Sequence, residues 1–142
     1  MIDENASYIR EAVGEDVYVK YILDLRDFPD SPYGDRVIHD AEMIFADPEV
    51  SLVVETMGGV HPAREFSLRA LSCGKHVITS NKELVAKHGA ELMALAKENG
   101  AAYLYEASVG GGVPLIRSMR TSLAGDRIDS VYVFYPTFLP NV

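Results

Sequence analysis

The stretch Leu23-Asp24-Leu25-Arg26-Asp27 closes an apolar run with two carboxylates and a guanidinium. At the end of a strand in an open α/β sheet, an acidic side chain can hold ribose hydroxyls and a nearby arginine can accept a 2′-phosphate. The same three charges equally suit a solvated loop in which opposite signs pair locally. A second chemically permissive stretch is Gly110-Gly111-Gly112, placed between a strand-like and a helix-like segment. Three glycines allow a ligand or ion to approach the backbone closely, with carbonyls free to point inward. As Gly-Gly-Gly-Val-Pro the stretch lacks both a P-loop lysine and dinucleotide-turn spacing, which makes it a weak phosphate cradle. Cys73 is the single cysteine, so an internal disulfide is excluded and no zinc-ligand spacing exists. Its place at the end of a helical pattern predicts a small buried or half-buried side chain. His39, His61, His76 and His88 have no partner spacing for a metal or a triad and read as structural or surface residues. The tyrosines and phenylalanines, spread through the strands without interleaved basic residues, read as core.

The background to these residues is that of one ordinary globular domain. The chain has 142 residues, 48% hydrophobic and 24% charged, enough to build a real core. A net charge of −8 fits poorly with a polyanion-binding surface, so nucleic acid is not an expected partner. No apolar run reaches the roughly 18 residues that span a bilayer, and no membrane association is expected. The first ten residues, MIDENASYIR, lack the basic-then-apolar order of a signal peptide. A cytoplasmic location is the expectation.

Strand-like and helix-like segments alternate along the chain. Residues 2–13 have helical spacing and stop at Gly14, residues 17–25 (VYVKYILDL) read as a strand, and 26–33 as a Pro- and Asp-rich loop. A short helix over 41–46 ends at Asp47-Pro48. Strands over 51–56, 76–79 and 101–107 are expected to alternate with helices over 62–73 and 82–99, the latter capped by Ser80-Asn81. A glycine-rich turn, a helix over 114–123 and a strand over 127–135 complete the reading. Such alternation predicts an α/β fold, an incomplete Rossmann-type doubly wound parallel sheet with helices on both faces. The turn that normally follows the first strand of such folds, Gly-x-Gly-x-x-Gly, does not occur in this sequence.

Four segments together carry a family resemblance. They are Val54-Glu55-Thr56-Met57-Gly58-Gly59, the run from Gly74 through Ser80-Asn81-Lys82-Glu83 to Ala86, the run from Tyr105-Glu106 through the three glycines to Pro114, and Leu123-Ala124-Gly125-Asp126-Arg127-Ile128. In this order and spacing they closely resemble homoserine dehydrogenase, over residues 1 to about 132. The resemblance implies NAD(P)H-dependent interconversion of L-aspartate 4-semialdehyde and L-homoserine, on the route to threonine, methionine and isoleucine. It implies that Lys82 serves the active site and the cofactor, and that Thr56, Ser80 and Asn81 line the nicotinamide side. It further implies that Arg26 meets the 2′-phosphate where NADP is used, and that Glu106, with the backbone of Val109, Gly111 and Val113, forms a sodium site. These residue types suit those roles. A lysine at a strand-to-helix junction can hydrogen-bond a carbonyl or alcohol oxygen and stabilise its proton. A carboxylate with backbone carbonyls suits a hard cation.

The resemblance also sets out what to expect beyond the site. Residues 1–113 correspond to a partial NAD(P)-binding Rossmann-like domain, and 114–142 to the start of the catalytic domain with a divergent tail from about residue 133. The central first strand, its glycine-rich turn and most of the catalytic and dimerisation domain are not represented. The two strands that would flank the central one are therefore expected to keep unpaired ladder groups or to close on each other. From this, the 142 residues alone are expected to show no substantial turnover, while a homo-oligomer stays open. The alternative is a non-catalytic module that binds a partner or self-associates through an exposed sheet edge. A weaker resemblance, to sugar dehydrogenases of the glucose–fructose oxidoreductase type, rests on Gly-Lys-His-Val before a lysine, but those proteins have Glu-Lys-Pro where this chain has Ser80-Asn81-Lys82-Glu83.

Overall fold

Helix formation is directed most clearly at Asn81. Its backbone is extended and its side-chain Oδ1 accepts the Leu84 N–H at 3.0 Å, satisfying one of the donors that a helix start leaves open. Helix α4 (Lys82–Glu98), the longest element, follows directly and buries Leu84, Gly89, Leu92 and Ala96. The preceding helix, α3 (Ala63–Ser72), starts after Pro62 and buries Ala63, Ser67, Ala70 and Leu71, one stripe at helical spacing. It ends where Gly74 takes a φ of +73°, a conformation side chains other than glycine rarely adopt. The computed structural model describes residues 2–109, 115–122, 125, 127 and 130.

These two helices cover one face of a parallel sheet ordered β3-β4-β5, made of β3 (Leu52–Glu55), β4 (His76–Thr79) and β5 (Tyr103–Leu104). Val53 pairs with Val77 and Val77 with Tyr103, and this row faces the helices within the core. The next row toward the strand ends sets Glu55 beside Thr79, both buried. On the opposite face Val54, Ile78 and Leu104 align, with Val54 and Leu104 exposed among the described residues.

A second parallel pair, β1 (Ile22–Leu23) with β2 (Val37–Ile38), stands apart from the first sheet. Ahead of it lies helix α1 (Ala6–Val13), after it the short helix α2 (Glu42–Ala46). The architecture is α/β and Rossmann-like, with parallel strands connected through helices, as expected. Among the described residues β1 and β3 do not pair with each other, so each keeps one edge without a partner strand.

The two sheets are tied by apolar packing of Phe45 in α2 against Phe66 in α3, with ring centroids 6.1 Å apart, and by a polar cluster. The Asp47 carboxylate accepts from Lys20 Nζ at 2.6 Å and from the Tyr21 hydroxyl at 2.8 Å, both just ahead of β1. The Asp47 carbonyl accepts from Lys75 Nζ at 2.6 Å, and the same buried ammonium donates to the Val50 carbonyl at 2.7 Å. Lys20 also reaches Glu49 at 2.5 Å. One turn, residues 47–50, thus holds side chains from ahead of β1 and ahead of β4.

The structure departs from the sequence expectations at defined places. Of residues 17–25 only Ile22–Leu23 forms strand, because a β conformation persists only where a neighbour supplies ladder partners. β2, two residues long, is too short to leave a periodic signal and was not expected. The run 101–107 divides: β5 ends at Leu104, and the Ser108 N–H and hydroxyl both bond to the Tyr105 carbonyl at 3.0 and 2.6 Å, starting the helical turn α5 (Glu106–Val109). Helix α6 (Leu115–Thr121) matches most of the helix expected over 114–123. The expected strand over 127–135 and the tail from 133 lie outside the described residues or almost so. Cys73 is exposed rather than buried, since it sits past the last turn of α3 where the chain turns toward Gly74. The aromatics are not uniformly core either: Phe45 and Tyr103 are buried, whereas Tyr8 and Tyr18 face solvent.

Two expectations on stability follow. Leu92→Ala, at a fully buried position between α4 and the sheet, should cost about 2–5 kcal/mol in chemical denaturation. Asp47→Asn should lower the denaturation midpoint at pH 7. The bonds from Lys20, the Glu49 N–H and Tyr21 hold the Asp47 carboxyl at about 2, below its ordinary 3.8. That stabilisation is present above pH 3.8 and disappears as pH falls toward 2, so the two midpoints should converge there.

Candidate functional site

The carboxyl ends of β3 and β4 carry alternating buried and exposed polar residues. Glu55, Thr79 and Asn81 are buried, while Thr56, Ser80 and Lys82, each the next residue in sequence, are exposed. Since Glu55 and Thr79 are register partners, Thr56 and Ser80 leave the sheet side by side.

The buried three close a ring of hydrogen bonds. The Thr79 hydroxyl donates to Glu55 Oε2, and the Met57 N–H donates to Glu55 Oε1 at 2.6 Å. The Asn81 N–H donates to Thr79 Oγ1 at 3.0 Å. The Asn81 side-chain amide donates to the Met57 and Gly59 carbonyls at 3.2 and 2.5 Å. Together with its cap to Leu84, this uses both amide hydrogens of Asn81 and one of the two acceptor sites on its Oδ1. Asn81, expected to line the cofactor, is thus engaged in joining the turn after β3 to the start of α4. Lys82, Thr56 and Ser80 make no side-chain hydrogen bond to another described residue, which leaves two hydroxyls and an ammonium directed outward at one sheet edge.

The second candidate cluster sits past β1 and β2. The Arg26 guanidinium grips the Asp24 carboxylate through Nε at 3.0 Å and Nη2 at 3.2 Å, and stacks over the Phe28 ring at 5.1 Å. Arg26 stays three-quarters exposed. Its bonds hold the Asp24 carboxyl at about 2. His39, immediately after β2, contacts the Asp24 carbonyl at 2.7 Å and the Asp27 carboxylate at 3.0 Å, and these partners raise its pKa. Sequence reasoning placed the charges of residues 24–27 and passed over His39, because only the β1–β2 pairing brings it to them.

Glu106 opens α5. Its Oε1 accepts the Ile116 N–H and its Oε2 the Arg117 N–H, both at 2.8 Å, so the carboxylate anchors the first turn of α6. Each oxygen retains a further acceptor site. Val109 ends α5, whereas Gly111 and Val113 lie outside the described residues. Among the described residues no group of three or more His, Cys, Asp or Glu side chains converges on one point.

Glu55, like His39, was not picked out as a site residue from the sequence. Its signal was present: an acidic residue two positions after Val53 in an apolar strand must share that residue's buried face.

Comparison with known proteins bears on the family and the fold. Residues 12–106 match the family model described as homoserine dehydrogenase, NAD binding domain. The homoserine dehydrogenase of Lactococcus lactis is 36% identical over 134 residues, covering 90% of this chain and 31% of that protein. The crystal structure of a homoserine dehydrogenase from Thiobacillus denitrificans superposes with a TM-score of 0.79 at 36% identity, covering 89% of this chain and 30% of the other. A hyperthermophilic archaeal homoserine dehydrogenase mutant in complex with NADPH aligns with a TM-score of 0.58 at 26% identity, covering 85% and 34%. The chain therefore spans about a third of the length of these relatives. On a family match that runs through both sheets and every helix from α2 to α4, the chain belongs to the homoserine dehydrogenase family and carries its NAD-binding domain.

Proposed function

We propose that this chain is the NAD(P)-binding portion of an enzyme interconverting L-aspartate 4-semialdehyde and L-homoserine, a step of threonine, methionine and isoleucine biosynthesis. The observation that carries the reading is the exposed trio Thr56, Ser80 and Lys82 at the adjoining carboxyl ends of two parallel strands. Ligands of open α/β sheets bind outside that end. Two hydroxyls and an ammonium fit the polar groups of a nicotinamide dinucleotide, and the exposed Arg26 at the end of β1 fits a 2′-phosphate. The bound dinucleotide supplies the hydride. Lys82 donates a hydrogen bond from Nζ to the substrate oxygen and holds the proton that oxygen needs as it becomes an alcohol. Thr56 and Ser80 orient the nicotinamide side. Arg26 gives up its bond to Asp24 for the phosphate, which sets the preference between NADP and NAD.

Residues 1–113 are assigned to the dinucleotide domain, and 114–142 to the beginning of the catalytic domain. Glu106, with the backbone of Val109, Gly111 and Val113, would hold a sodium ion. The substrate-facing remainder belongs to the two thirds of the relatives' length that these residues do not span. The 142 residues alone accordingly bind cofactor without substantial turnover.

The test is isothermal titration of the chain with NADPH, paired with a homoserine oxidation assay. Binding without oxidation is the expected result; oxidation would overturn the division of labour, and absence of binding would overturn the cofactor reading. In that last case the unpaired edges of β1 and β3 favour an association module, which sedimentation would show as a concentration-dependent oligomer. Arg26→Ala should weaken NADPH binding roughly tenfold or more, as loss of a charge-assisted bond does, and leave NADH binding nearly unchanged.

A further inference from the structure

We infer that Glu55 is a positioning residue that holds Thr56, Ser80 and Lys82 in one fixed arrangement; the inference rests on the cofactor reading above. Glu55 is 4% exposed, and an anion in that position is costly to bury. The neighbouring row of the sheet fills the same face with Val53 and Val77, so an apolar residue would serve the core as well. Tyr103, 5% exposed, has a hydroxyl without a hydrogen-bond partner among the described residues. Burial raises its pKa, and the nearby charge of Glu55 raises it further, followed by Tyr105. Glu55 commits its oxygens to the Thr79 hydroxyl and the Met57 N–H.

The consequence is mechanical. Each exposed residue of the trio directly follows a member of the buried ring: Thr56 follows Glu55, Ser80 follows Thr79, and Lys82 follows Asn81. Through the Asn81 amide the ring also grips the turn at Met57 and Gly59. The turns after β3 and β4 therefore cannot move independently while Glu55 accepts both bonds.

The experiment compares the 142-residue chain with Glu55→Gln, Thr79→Val and Thr79→Ser. Amide exchange reports the turns, and titration with NADPH and with adenosine 2′,5′-bisphosphate, which lacks the nicotinamide half, reports binding. In Glu55→Gln and Thr79→Val, exchange at the Met57 and Asn81 amides should rise about tenfold while that of Leu92 in α4 holds. NADPH affinity should fall about tenfold with the bisphosphate unchanged, and Thr79→Ser, which keeps the hydroxyl, should behave as wild type. Unchanged exchange at Met57 overturns the assignment, as does equal weakening of both ligands. Failure of both Glu55→Gln and Thr79→Val to fold also overturns it, because Glu55 would then serve the core. If the wild-type chain binds no NADPH, the cofactor reading falls by itself, and the exchange data still decide whether Glu55 locks the two turns.

Discussion

Parallel pairing of β3 with β4 is the constraint on which the rest of the molecule depends, because it sets two things at once. In the inner row it aligns Val53, Val77 and Tyr103 beneath α3 and α4, where Leu71, Leu84 and Leu92 close the core. In the outer row it places Glu55 beside Thr79, so that the same register that builds the core also builds the polar ring. A shift of one residue would exchange the buried and exposed faces of a strand. Val54 would then enter the core and Glu55 would face solvent. Burial on this face is thus what makes the register, and with it the site, unique.

The connection between the sheets is of a different kind. Between β1 and β3 there is no ladder, and the 47–50 turn joins them through Lys20, Tyr21 and Lys75. Apolar packing is tolerant of small displacements, whereas hydrogen bonds of 2.6–2.8 Å to one aspartate are directional. The cluster of Asp24, Arg26 and His39 is therefore held relative to the trio at β3 and β4 by these polar contacts at the far ends of the strands together with the packing of Phe45 of α2 into the core. A ligand long enough to touch both clusters would bridge the interval that no strand spans among the described residues.

Charge is distributed to match. Among Arg26, Lys82 and Glu106, the first is paired locally with Asp24 and the last with the backbone of α6. Lys82 alone of the three has no such engagement among the described residues. An ammonium at the start of a helix adds its charge to the positive end of the helix dipole. It is better placed to meet an anionic or electron-rich oxygen than to stabilise the helix it begins.

The alternation of apolar runs with capped helical stretches, and the turn glycines such as Gly74, were legible from the sequence because each rests on local chemistry. Asn81 as a cap for α4 needed no more than its side chain and the N–H three residues on. The resemblance carried by contiguous segments named Thr56, Ser80, Asn81 and Lys82 together, and the fold exposes the first, second and fourth while burying Asn81. Tertiary structure alone decided where strands ended, since 17–25 and 101–107 have strand composition throughout and form ladder over only two residues each. It alone assigned His39 to Asp24 and Asp27 by pairing β1 with β2, and turned Glu106 toward α6. Local sequence determines what a side chain can donate, accept or bury. Which partner it meets depends on register and packing across residues distant in the chain, and no local pattern encodes that distance.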